Sequence, residues 1–225
     1  MKGKVEAHWD YFLILEEDLI KVFSFIEPCH ENYGAYGPML AKLLLSVCME
    51  VDAVLHDLMD AVGCCDPCEK QSLSMKDYES LITKEFDSEF DRVGVLLLGT
   101  DIDVEPWSEW WMDGPVGRVR SGSILSWWKS YNAVKHNRLE NYGQANLINL
   151  INAFAGLFVS VACLSRAIKG EHYLRCTKIT AFSDEAYGGN RSASLEVSGG
   201  ILSLNGASRF VVGSREAIQN ARQNN

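Results

Sequence analysis

The 225-residue chain lacks most of the signatures by which a sequence declares its chemistry. It has no Walker motif and no Ser-centred nucleophile elbow. The pairs Gly188-Gly189 and Gly199-Gly200 do not lead into helices as a phosphate-cradling loop requires, so they read as turns. No internal repeat is visible. The first residues, MKGKVEAHWD, have neither an apolar h-region nor a small-residue cleavage site, and a cytoplasmic location is expected. Positive charge is scarce as well: 21 Lys and Arg stand against 30 Asp and Glu, a net of −9. That excludes a generally basic nucleic-acid binder but leaves room for a local basic site.

What is present is ordinary globular material. Hydrophobic residues make up 47% and charged residues 23%, which argues against disorder over most of the chain. The length suffices to bury a core without covalent staples. Seven cysteines include Cys64, Cys65 and Cys68 in the run CCDPC, with Cys29-His30 far upstream. A structural zinc site needs two regularly spaced pairs, so reduced thiols and no metal are expected. Between Glu140 and Arg166 lie 25 residues without a formal charge, long enough to span a bilayer. Asn146, Asn149, Asn152, Gly156 and Ser160 recur along one face of that stretch. Such a polar and small-residue stripe predicts a helix packed inside a bundle, and no membrane association.

The hydrophobic spacing predicts a mainly α protein. A first helix is expected over 9–27. A second runs from Pro38 to Val62, with Leu40, Leu44, Val47, Val51, Val54 and Leu58 on its core face and Gly63 closing it. A shorter third is expected over 74–92, and two more over 122–139 and 144–168. Residues 99–117, with two prolines and three tryptophans, read as a loop covering the bundle. Residues 1–169 therefore form a helical domain of four to five helices. Residues 170–225 read as a short β-prone appendage, from the segments CTKITAF, ASLEVSG, ILSLN and RFVVG, followed by a frayed tail.

Charge is segregated along the chain. Residues 9–113 hold 23 acidic and 6 basic side chains, a net of −17, whereas residues 114–179 hold 9 basic and 2 acidic, a net of +7. A positive segment of this kind either attracts a phosphate backbone or complements the acidic helices, within the fold or across a dimer.

The informative run is SWWKSYNAVKHNRLENYGQANL, residues 126–147. On a helix, Lys129, Asn132 and His136 form one stripe at i, i+3 and i+7. Lys135 and Arg138 lie within a turn of the histidine. A histidine bordering a tryptophan-lined core, flanked by cations and an amide, suits proton transfer beside a phosphate. A packing role is the alternative, because adjacent Trp and Tyr residues commonly anchor cores.

This run resembles the higher eukaryotes and prokaryotes nucleotide-binding (HEPN) superfamily, whose members are four- or five-helix bundles. Their nucleases carry an Arg, four to six residues and then a His near the fourth helix, often with a polar residue after the Arg. Here Asn132 and His136 match the polar residue and the histidine, while Tyr131 occupies the Arg position. The resemblance implies metal-independent RNA cleavage at a homodimer interface, as in toxin and phage-defence ribonucleases, with no cofactor. In such a site His136 is acid and base, Asn132 positions phosphate or ribose, and Lys129, Lys135 or Arg138 supplies positive charge. It also implies an acidic or polar residue on the second helix, for which Glu50 is the candidate, orienting His136. A non-catalytic module binding a nucleotide, RNA or a cognate protein partner is the alternative, and a purely structural interaction protein is a third reading. Apart from this run, Asp52, His56 and Asp60 follow one another at i+4 steps and could hold a metal, but with no second ligand-bearing helix evident they read as a solvated face.

Overall fold

The computed structural model describes residues 3–63, 73–85, 94–97, 100, 102–115, 117–169, 195–198, 201–204 and 210–213. Among the described residues are six helices: α1 (Lys4–Phe23), α2 (Pro38–Ala61), α3 (Met75–Glu85), α4 (Ser126–His136), α5 (Arg138–Asn141) and α6 (Leu147–Lys169). The protein is thus mainly α, as the spacing predicts. Seven short strands accompany the helices: β1 (Gly94–Leu97), β2 (Asp103–Val104), β3 (Trp111–Gly114), β4 (Gly117–Arg120), β5 (Leu195–Ser198), β6 (Ile201–Leu204) and β7 (Phe210–Gly213).

The core is built around α6, which packs chiefly against α2 and also against α1 and α4. From Ala153 to Ser165 every described side chain of α6 is buried or nearly so. Its 22-residue stretch Leu147–Ile168 is long and apolar enough to cross a membrane, yet 83% of its most apolar window is buried against the rest of the protein. The polar stripe accounts for the difference. Asn149 donates to Ser130 Oγ of α4 at 3.1 Å and to the Gln144 carbonyl at 2.9 Å. Farther along, Ser160 Oγ donates to the Gly156 carbonyl at 2.8 Å. Gly156 itself lies against an indole: a β-carbon there would stand 3.1 Å from Trp127 Cζ2 and 3.4 Å from Trp107 Cζ2.

The expected stripe on α2 is buried throughout, from Leu40 to Leu58. Pro38 opens the helix with its fixed φ, and Gly63 follows its end at φ +68°, a conformation that glycine adopts without strain. Helices α1 and α2 run antiparallel, because Lys4 pairs with Asp57 at 2.7 Å near one end and Lys42 with Asp18 at 3.8 Å near the other. Trp9 and Phe12 of α1 stack at 5.0 Å and meet Phe158 of α6 at 6.1 and 5.7 Å.

Three boundaries differ from expectation. The first helix begins at Lys4 and ends at Phe23, with Ser24 donating its backbone N–H to the carbonyls of Ile20 and Lys21. The fourth is interrupted at Asn137, so that Arg138 falls in the separate short helix α5. Most consequentially, the segment expected to be a covering loop contributes β2 and the β3–β4 hairpin and drives Trp107 and Trp110 fully into the core. The tryptophans exceed the prolines in effect: each indole removes a large apolar area from water.

The strands expected near the C-terminus occur as β5, β6 and β7, while CTKITAF and the final residues ARQNN lie outside the described residues. They do not pair only among themselves. The five-stranded sheet has the order β2-β1-β7-β6-β5, with β7 antiparallel to β1 in the register Val95↔Val212 and Leu96↔Val211.

Candidate functional site

Helix α4 carries the run singled out by sequence, and its position is fixed at both ends. At the start, the Glu109 carboxylate accepts from the Ser126 backbone N–H at 3.0 Å and from its hydroxyl at 2.8 Å. This satisfies an otherwise open donor and places negative charge at the positive end of the helix. On the inner face, Trp127 donates its indole N–H to the Pro106 carbonyl at 2.8 Å. A continuous row of rings runs from the hairpin to the middle of α4: Trp110 to Trp107 at 4.7 Å, Trp107 to Trp127 at 5.5 Å, Trp127 to Trp128 at 5.8 Å and Trp128 to Tyr131 at 4.8 Å.

The end of this row borders a cleft of about 430 Å³, to which Trp128, Tyr131, Asn132 and Lys135 contribute. Across it stand Ser74 and Lys76 at the start of α3, with Asp52 of α2 on the wall. That size falls within the range of small-ligand sites, about 300–1,000 Å³. Helix α3 is held in place through its first turns. Ser74 donates its backbone N–H and its hydroxyl to the Asp77 carboxylate at 2.9 and 2.7 Å. One turn on, buried Glu79 accepts from Arg120 Nε at 3.0 Å and from the Gly122 backbone N–H at 2.9 Å. The carboxylate beside it raises the pKa of Arg120 further, so the guanidinium stays charged. These bonds tie α3 to the hairpin that leads into α4 and so set the width of the cleft.

Among the six predicted site residues, the structure brings Asn132 and Lys135 into this cleft. Lys135 Nζ lies 5.4 Å from the centroid of the Tyr131 ring, within cation–π range. Tyr131 itself is buried. Lys129, His136 and Arg138 are exposed, and His136 closes α4 one turn beyond Asn132. Among the described residues, Lys129, Lys135 and Arg138 have no carboxylate partner, and the Asn132 amide has no hydrogen-bond partner. Among the described residues, Arg120 is thus matched by a carboxylate of α3, and the cations of α4 and α5 are not matched.

Glu50 is placed elsewhere. Its carboxylate accepts from His8 Nδ1 at 2.5 Å, on α1, in place of the expected pairing with His136. The reason is the antiparallel packing of α1 on α2, which turns this edge of α2 toward His8. His8 bonds Asp57 through its other nitrogen at 3.1 Å. Burial opposes its charge most strongly, but the hydrogen bonds to Glu50 and Asp57 together outweigh it and raise the imidazole above its ordinary pKa. Sequence reasoning missed His8, which stands alone in its segment, and Lys76, whose only signal is the Ser74-x-x-Asp77 helix start. The cysteine run at 64–68 lies outside the described residues. Cys29 is half-buried, and the ring of His30 beside it packs tilted against Tyr33 at 4.8 Å.

Comparison with protein-family models, with curated proteins and with solved structures finds no match to this chain.

Proposed function

We propose that the chain is a HEPN-like module that binds RNA or a nucleotide on the exposed face of α4. The observation that carries this reading is the set of cations at Lys129, Lys135 and Arg138, left without carboxylate partners among the described residues, beside the unpartnered amide of Asn132. An acidic protein that leaves three cations unmatched on one short stretch retains the local potential needed to hold phosphates. The cleft beside Asn132 gives a nucleotide aromatic and amide surface next to that charge.

The test is anisotropy of a labelled single-stranded RNA titrated with purified protein at several salt concentrations. Neutralising Lys135 and Arg138 together is expected to weaken binding and to flatten its salt dependence, by about 0.7 in log–log slope for each phosphate no longer neutralised. Unchanged affinity and slope in that double variant would remove the basis of the proposal.

A second reading, metal-independent RNA cleavage, is favoured by the exposure of His136 one helical turn from Asn132. In this reading His136 moves protons while the ribose 2′-hydroxyl attacks phosphorus, and general acid–base action supplies a factor of about 10²–10⁴. Tyr131 offers no charge to the phosphoryl oxygens, so Lys135 has to do so, and binding ranks ahead of cleavage for that reason. RNA degradation in EDTA that disappears in His136→Ala would establish the cleavage reading. Equal degradation by both proteins, or none by either, would sink it. A homodimer belongs to the same proposal and is checked by sedimentation of the purified protein.

A further inference from the structure

The contact between α1 and α2 holds an arrangement that the RNA-binding reading does not use. His8 is 13% exposed, and both of its ring nitrogens face carboxylates of α2. Nδ1 lies 2.5 Å from Glu50 Oε1, and Nε2 lies 3.1 Å from Asp57 Oδ2. A neutral imidazole has one N–H and one lone pair, so either tautomer would set a lone pair against a carboxylate oxygen. Only the doubly protonated ring donates to both.

Few charged groups surround this ring. Glu50 and Asp57 act on it from α2. On its own helix, Lys4 bonds the other oxygen of Asp57 at 2.7 Å and lies 3.7 Å from Asp60, which faces His56 at 3.8 Å. From α6, the other helix packed on α1, no charged residue comes before Arg166, about two turns beyond the Phe158 that meets Trp9. Loss of one proton from His8 therefore leaves Lys4 as the single cation for Glu50 and Asp57 together. Lys4 holds Asp57, whereas Glu50 has no partner besides His8 among the described residues.

Two further features ready the start of α1 to open. Its N-cap, Gly3, offers no side-chain hydrogen bond, so packing and the contacts with α2 hold the first turn. The indole N–H of Trp9, next to His8, is buried with no hydrogen-bond partner among the described residues, a cost that opening to water removes.

We propose that His8 is a pH-sensitive latch: as a doubly protonated imidazolium it closes the first turns of α1 on α2, and loss of one proton as pH rises opens them. The direction follows from linkage. The two carboxylates outweigh burial and raise the folded-state pKa above the ordinary value of about 6.5. The latch is thus fully closed below that value and is released as pH rises through the higher folded one. It shares no residue with the cleft beside α4 and stands or falls apart from it.

The test is amide hydrogen exchange of the intact chain between pH 6 and pH 9, corrected for intrinsic rates, with the His8 imidazole titrated by NMR. Protection over residues 8–12 is expected to fall by about tenfold for each unit that separates the folded pKa of His8 from the ordinary one, while α6 stays protected. His8→Gln should give low protection at pH 6 that changes little up to pH 9, with circular dichroism confirming the fold. Glu50→Gln, which keeps an acceptor but removes one charge, should move the transition to lower pH. The proposal is overturned by protection that is level in the native chain, by a fall that persists in His8→Gln, by a transition that Glu50→Gln leaves in place, or by a His8 pKa at or below the ordinary value.

Discussion

Gly156 and Trp127 meet so closely that a β-carbon on the glycine would stand 3.1 Å from the indole Cζ2. This approach joins the central helix to the helix that carries the candidate site, and both residues lie in the buried interior, where neither side can yield without disturbing the row of rings behind Trp127. Gly156→Ala gains about 1 kcal/mol of helix propensity but overpacks the junction, a change that costs about 1–3 kcal/mol. The net expectation is a loss, small for Ala and about 3 kcal/mol for Val. Urea unfolding of the two variants measures it. A stabilised Gly156→Val protein would show that the indole is not held where the structure places it.

The Glu79–Arg120 pair makes a second prediction. Glu79 is buried and accepts from Arg120 and from the Gly122 backbone, so Glu79→Ala strands the Gly122 N–H and leaves Arg120 with Ser80 and solvent. The expected destabilisation is about 2–3 kcal/mol, the range for hydrogen bonds to charged groups. Glu79→Gln keeps an acceptor for one of the donors and should be destabilised less. Because the same bonds fix α3 against the cleft, binding of RNA should weaken in Glu79→Ala at temperatures where the variant is still folded.

Thiol chemistry offers a probe of the core that needs no substitution. Burial pushes the Cys48 thiol well above its ordinary range and that of Cys163 up to about 12. Neither forms thiolate at neutral pH. Alkylation of the native protein at pH 8, followed by peptide mapping, is expected to spare both while labelling half-buried Cys29. Labelling of Cys48 without denaturant would contradict the packing of α2 on α6.

Asp18 sets one small acid-side contribution to stability. A hydrogen bond from Lys21, with Lys42 of α2 nearby, holds its carboxyl below the ordinary value. A depressed folded-state pKa means stability that is complete above the ordinary value of about 3.9 and is lost as pH falls through the lower folded value. The side chain is 26% exposed, so the contribution is at most about 1 kcal/mol. Asp18→Asn should therefore lower the melting temperature slightly at pH 6, with the difference from the native chain shrinking as pH falls below the ordinary carboxyl value.

The helical part of the fold was legible because burial leaves a periodic mark. The face from Leu40 to Leu58, Pro38, Gly63 and the Asn146-to-Ser160 stripe all sit where their spacing puts them. The sequence was least legible between 94 and 120. Strands of two to four residues are too short to show alternation, and one of the two neighbours of β1 lies more than a hundred positions away. At the candidate site, helical spacing puts Asn132 on a stripe with Lys129 and His136, and Lys135 within a turn of the histidine; the structure sets Asn132 and Lys135 at the cleft. Glu50 was misread because local spacing places a carboxylate at the edge of a face without saying which neighbour covers that edge. His8 was invisible for the same reason, since its role exists only once α1 lies antiparallel on α2.

The pairing of β7 with β1 carries a consequence for how the protein is made. The helices can complete their core once α6 leaves the ribosome, but β1 must wait longer, for a strand more than a hundred residues downstream of it. Until translation reaches it, the apolar segment Gly94–Leu97 has an open hydrogen-bonding side, a hazard for association between nascent chains. Shortening the gene before β7 would make that interval permanent.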